Sequence, residues 1–209
     1  MTNNPTKRWA LIVGGKGTGK STTAARVADM LTSRGIAVGG VIQEAVHENG
    51  ERIAYRAHRV GNSKSGVIIA RRGAPPEGAK TNALREFCSL VFDDDAFATA
   101  GTWVRQAMSA CDIVIVDEVS KLEVSGGGHH DAIRDALAGH ALAILVVRAD
   151  QLFAVVEKFE LEDAVADLEV GDDGALETFV DAIVRAVRTV TSPWASVRVV
   201  STGSINGER

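Results

Sequence analysis

Cysteine is nearly missing from this chain: there are two in 209 residues, Cys88 and Cys111. They lie far apart and show no metal-ligand spacing, which excludes a disulfide scaffold and a cysteine metal cluster. Both are expected as reduced core thiols. Long apolar runs are absent too, and none approaches the ~20 residues that span a bilayer. The opening string MTNNPTKRWALIVGGKG lacks an apolar stretch closed by a small-residue cleavage site. No secretory signal is therefore expected, and a reducing cytoplasm is the expected compartment. Positive charge is not in excess either: 23 Lys and Arg stand against 27 Asp and Glu, a net charge of −4. Neither nucleic acid nor a membrane is expected as a partner, although a local basic patch stays open. No internal repeat and no domain-separating linker is visible.

What is present is ordinary for a globular protein. Hydrophobic residues make up 45% and charged residues 24% of the chain, and the length suits one sizeable α/β domain with a single core. Trp9 to Val13 reads as a buried strand, followed by a glycine-rich turn. Ala24, Val27, Ala28 and Leu31 then recur at helical spacing, and Arg34-Gly35 closes that helix. Val38 to Val46 and Arg52 to Val60 read as a hairpin turned by residues 47–50. Residues 61–66 read as a further turn, Val67 to Ala70 as a strand, and residues 71–82, with Pro75-Pro76, as an exposed loop.

Further on, Asp93-Asp94-Asp95 reads as the capped start of a helix rather than a metal site. Phe97, Ala100, Val104, Ala107 and Met108 form that helix's apolar stripe. Ile113–Val116 and Ala141–Val147 are continuously apolar, as parallel strands covered on both faces are. Leu176, Phe179, Val180, Ile183, Val184 and Val187 mark a late helix. The expected fold is α/β in three layers, a mostly parallel sheet flanked by helices, with a β-hairpin insertion over 38–72. The domain is expected over 8–191, with 1–7 and 201–209 as loose termini.

Gly14-Gly15-Lys16-Gly17-Thr18-Gly19-Lys20-Ser21 fits G-x-x-x-x-G-K-[ST], with a strand before it and a helix after it. This is the phosphate-binding loop of the P-loop nucleotide-binding fold. Glycine lets backbone N–H groups turn inward around phosphate oxygens, and the helix N-terminus adds free donors. Lys20 reaches the β- and γ-phosphates, and the Ser21 hydroxyl can ligate Mg²⁺. Thr22 offers a hydroxyl near the α-phosphate. Lys16 misses by one residue the signature lysine of a deviant loop. It reads as a solvent-facing cation or as a second phosphate contact.

Asp112-Ile113-Val114-Ile115-Val116-Asp117-Glu118 completes the site. Four apolar residues bury a strand whose carboxylates emerge at its carboxyl end, where open α/β sheets bind ligands. Asp117 would hold Mg²⁺, and Glu118 would orient or deprotonate an attacking water. The Asp-Glu pair leans toward the P-loop branch with extra strands between the two motif strands. Asp112, at the other end, reads as structural. Lys121 lies near the γ-phosphate or pairs with Glu118 or Glu123. Arg71 and Arg72 read as a solvated pair, with an arginine-finger role open. Arg148 follows a strand near where such proteins contact the base, and stacking there is one reading. Asp150 suits a helix start, and Arg148-Ala149-Asp150 is not the guanine-reading Asn-Lys-x-Asp motif. His129-His130 reads as a polar loop entering a helix, not as metal ligands.

The string VDEVSKLE resembles the DEIGKMEL signature of a small family of bacterial, archaeal and human nucleoside-triphosphatases. GVIQEAVHENGERIAYRAHRVGNSKSGVIIARRG is similar to that family's hairpin, and SLVFDDDAF to its segment before the second motif. The resemblance runs from Trp9 to Val187 and implies slow hydrolysis of several nucleoside triphosphates. Lys20 and Ser21 match the family's phosphate and Mg²⁺ positions, Asp117 and Glu118 its carboxylates, and Lys121 its lysine. Ser120 replaces the usual glycine, Gly15-Lys16 replaces a proline-containing loop, and Gly126 to His130 departs from the pattern. RGIAVGGVIQ also resembles bacterial relatives linked with molybdenum metabolism, and the small P-loop protein assisting molybdopterin guanine dinucleotide synthesis.

Three functions follow. One is an Mg²⁺-dependent hydrolase acting on ATP, GTP or both, for which Glu118 speaks. The second is a small-molecule or nucleotide kinase, for which the arginines between residues 52 and 85 could serve a lid. The third is a nucleotide-gated partner protein, including an accessory to molybdenum-type cofactor assembly. The oligomeric state and any protein partner stay open.

Overall fold

The structure is a computed structural model, and it describes residues 8–87 and 89–191. Cys88 and the expected loose termini lie outside the described residues. In chain order the strands are β1 (Trp9–Gly14), β2 (Val38–Glu48), β3 (Glu51–Arg59), β4 (Asn62–Arg72), β5 (Leu84–Phe87), β6 (Leu90–Asp93), β7 (Ile113–Val119), β8 (Leu142–Arg148) and β9 (Asp167–Glu169). The helices are α1 (Lys20–Ser33), α2 (Asp94–Ala110), α3 (Lys121–Val124), α4 (His130–Ala138), α5 (Leu152–Lys158) and α6 (Asp173–Thr191). The described strands form one sheet in the order β5-β6-β4-β3-β2-β7-β8-β1-β9.

This is the expected α/β architecture. From β2 to β9 every pairing is parallel. From β2 to β5 every pairing is antiparallel. β8 lies between β1 and β7, so one strand separates the two motif strands. The apolar runs explain why β7 and β8 sit inside: Ile113–Val116 and Leu142–Val147 are fully buried. One core packs on the α1 and α6 face, around Val27, Leu31, Ile183 and Ile144. The other lies on the α2 and α4 face, around Val104, Phe97, Ile133 and Leu145. Each such side chain contributes about 1.5–3 kcal/mol by leaving water.

Helix ends follow the chemistry of their residues. Asp93 accepts from the N–H groups of Asp95 (3.0 Å) and Ala96 (3.3 Å), capping α2 as expected. Gly35, at φ 79°, lets the chain leave α1. Asp112 accepts from the Ala37 N–H at 3.0 Å and ties β7's start to β2, a structural role. Gly40 cannot be replaced freely: at φ 113°, a Cβ there would lie 2.1 Å from the Ile115 carbonyl oxygen of neighbouring β7.

The insertion is larger than its composition suggests. His47 and Glu48 belong to β2, and Asn49-Gly50 alone makes the turn, as a two-residue hairpin prefers. Residues 62–66 are strand, not turn, because their backbone pairs with β3: Gly66 faces His58, and Asn62 faces Arg59. Arg71 and Arg72 end β4 and pair with Val91 and Leu90 of β6 rather than opening a loop. The β5–β6 hairpin extends the antiparallel half to Asp93.

Candidate functional site

The phosphate loop has the conformation its glycines allow. Gly17 (φ 74°) and Gly19 (φ 92°) occupy the left-handed region, where a Cβ would be strained. Gly19 precedes the first residue of α1, and no side chain caps that helix. Its first N–H groups therefore face the cleft as donors. Lys20 is buried, and its ammonium donates to the Gly15 carbonyl at 2.9 Å, curled over the loop. The Thr18 hydroxyl donates to the same carbonyl at 3.0 Å. Lys16 is exposed, and it lines the cleft with Gly17, Gly19, Lys20, Ser21 and Thr22.

Across the cleft, Asp117 is completely buried at the end of β7. Its carboxylate accepts from the Gln43 N–H at 3.0 Å and the Glu118 N–H at 2.7 Å, and also from the Ser21 hydroxyl. Burial, and then the neighbouring Glu118 charge, push its pKa up to about 6 against those bonds. Its hydrogen-bond partners are a hydroxyl and two backbone N–H groups, none of them cationic. A divalent cation would supply the missing charge, and a carboxylate beside a hydroxyl is a hard-oxygen pair that suits Mg²⁺.

Glu118 has φ 60°, unusual for a side-chain-bearing residue. The Glu118 N–H bond to Asp117 holds this turn, and the strand register slips between Val116 and Val119. Strain at a strand end re-aims one side chain. Here it sends Asp117 into the core and leaves Glu118 half-exposed in the cleft.

The cleft encloses about 470 Å³, and the insertion supplies its far wall through Gln43, Arg52 and Tyr55. The Arg52 guanidinium sits 5.0 Å over the Tyr55 ring, and its buried Nε has no hydrogen-bond partner. Burial raises the Tyr55 pKa, while Arg52, Arg148 and Arg72 lower it. A smaller pocket of about 120 Å³ adjoins the cleft, walled by Phe87, Phe92, Phe97 and Leu122 and reached past Glu118, Lys121 and Arg148. No motif in the sequence marks these wall residues. One signal was available: polar Gln43 directly follows the apolar pair Val41-Ile42 in β2.

The segment after β7 is pinned from inside. Ser120 and Glu123 form a capping box around α3. The buried Glu123 carboxylate accepts from the N–H groups of Ser120 (3.0 Å) and His129 (3.2 Å). It is not available as a surface partner for Lys121. Burial raises its pKa to about 7. His129 is a correction to the polar-loop expectation: it is 1% exposed, and both ring nitrogens lack a partner. Its ring meets Phe97 edge-on at 4.9 Å, and burial lowers its pKa to about 4. Apolar packing against Phe97 and the bond from its own N–H to Glu123 draw it inward. Among the described residues, no group of three or more His, Cys, Asp or Glu could hold a metal. No helix there is long and apolar enough to cross a membrane.

A profile of the NTPase family matches residues 10–173, spanning both motifs and the insertion. The chain belongs to the NTPase family. The nucleoside-triphosphatase THEP1 of Methanopyrus kandleri is 30% identical over 146 residues, covering 70% of this chain and 76% of the relative. Its namesake from Methanothermobacter thermautotrophicus is 26% identical, covering 78% and 88%. Solved structures share the fold of this NTPase. THEP1 from Aquifex aeolicus superimposes with a TM-score of 0.64 at 18% identity, over 84% of this chain and 98% of the other. A human cancer-related nucleoside triphosphatase gives 0.60 at 21% identity, over 87% and 98%.

Proposed function

We propose that this NTPase-family chain is an Mg²⁺-dependent nucleoside-triphosphatase of broad base tolerance, converting NTP to NDP and phosphate. The observation that carries this reading is Glu118, held in a strained turn beside buried Asp117 and lining the same cleft as Lys20 and Ser21. In this proposal the P-loop amides and Lys20 hold the β- and γ-phosphates. Ser21 and Asp117 hold Mg²⁺, which supplies charge neutralisation on the phosphate oxygens. Glu118 orients a water and takes its proton as the water oxygen bonds to the γ-phosphorus. The bond from that phosphorus to the bridging oxygen breaks, and the NDP leaves. Lys121, at the mouth of the small pocket beside Glu118, adds positive charge on that side. The proposed unit is residues 8–191, and the cytoplasm is the proposed compartment.

The test is phosphate release from ATP, GTP, CTP and UTP, with Mg²⁺ and with a chelator. Release from several NTPs that stops with the chelator is expected. Tight binding of Mg·NTP without release would reject the hydrolase reading.

A further inference from the structure

Arg148 sits where the two motif strands and the cleft meet. It ends β8, the strand between the two motif strands. Its register partner on β1 is Gly14, the first residue of the phosphate loop. The residue before it, Val147, pairs with Val119, which follows Glu118 on β7. The side chain therefore enters the cleft between the loop and the carboxylates. It lines both the large cleft and the small pocket beside Glu118, and its charge is felt by Tyr55 on the far wall. By contrast, Arg71 and Arg72 are exposed at the end of β4, on the insertion.

The guanidinium is also held ready. It forks onto Asp150, with Nε 2.5 Å from one carboxylate oxygen and the second fork arm 2.8 Å from the other. A carboxylate edge and a phosphate edge present the same pair of acceptors to such a fork. Asp150 is well exposed, and a solvent-facing ion pair exchanges partners readily.

We infer that Arg148 is an arginine acting in cis on the terminal phosphate, and that Asp150 holds and orients its fork. When an NTP binds, the fork passes from Asp150 to γ-phosphate oxygens and neutralises the charge they gain as the bridging bond breaks. This rests on the hydrolase reading of the cleft.

The experiment compares wild type, Arg148→Ala and Arg148→Lys in three measurements. These are kcat and KM for ATP, affinity for Mg·ADP, and affinity for Mg·ADP with aluminium fluoride, which mimics the phosphoryl group in flight. Arg148→Ala should lower kcat by about 10²–10³-fold, the loss expected for one transition-state donor. Its Mg·ADP affinity should stay within about threefold of wild type, while the aluminium fluoride complex is lost. Arg148→Lys should fold and recover only a minor part, because a point charge lacks the fork. Unchanged kcat in Arg148→Ala, or equal loss of both complexes, would overturn the inference; the second result would return Arg148 to nucleoside binding. A wild type that binds Mg·ADP but releases no phosphate from ATP would instead count against the hydrolase reading itself.

Discussion

On one side of the cleft a single stretch of chain between Lys16 and Thr22 makes the wall. On the other, Gln43 and Tyr55 come from different strands, joined only because Ala45 of β2 registers with Tyr55 of β3. The first wall is backbone, shaped by glycines at φ 74° and 92° and fixed by local geometry. The second is side chain, positioned by the register of two paired strands. Asp117 and Glu118 stand where the two meet, and one strained turn separates their tasks. The comparison teaches that, on the proposed function, phosphate holding is built locally, whereas the environment of the reacting water depends on the assembled sheet.

The sharpest way to break this division is Lys20→Ala. It removes a buried charge-assisted donor from the local wall, so NTP affinity should fall by about 100-fold or more. Phosphate release at fixed substrate should collapse with it. Titration calorimetry with Mg·ATP checks this, and wild-type affinity in the variant would sever the loop from binding.

Gly40→Ala attacks the other side through the sheet. Its Cβ would sit 2.1 Å from the Ile115 carbonyl oxygen at φ 113°, so β2 must move away from β7. A loss of about 3 kcal/mol or more in unfolding free energy is expected, read by urea denaturation. An unchanged midpoint would show that β2 does not need this close approach.

A smaller effect tests the pinned segment after β7. Glu123 is raised from 4.5 to about 7, so its contribution is complete below pH 4.5 and is lost as pH rises toward 7. Asp117, raised from 3.8 to about 6, acts in the same sense. His129 is lowered from 6.5 to about 4, so its contribution is complete above pH 6.5 and is lost as pH falls toward 4. The slopes oppose one another. Relative to wild type, His129→Leu should gain thermal stability progressively as pH falls from 6.5 to 4. A pH-independent difference between the two proteins would show that the ring does not titrate.

The same contrast explains what could be read from the sequence. The phosphate loop, the Asp117-Glu118 strand end, the Asp93 cap and the α6 stripe were legible because each is encoded within a few neighbouring residues. Residues 62–66 were not: Asn, Ser, Lys and Gly favour turns, and only pairing with β3 makes them strand. The four-residue strands β5 and β6 are too short to show a period, and they exist through their ladder. The burial of His129 was hidden because its apolar neighbour Phe97 lies on another helix. Arg52 and Tyr55 carried no motif, since their place in the site follows from register. The left-handed turn at Glu118 left no mark in its residue type.

The central claim is that the turn at Glu118 presents a base to the water while leaving nucleotide binding to the loop. Glu118→Gln tests it most directly, with Mg·ATP affinity and phosphate release measured on the same preparation. Affinity within about threefold of wild type is expected, with release slowed by about 10²–10⁴-fold. Release at the wild-type rate would contradict it.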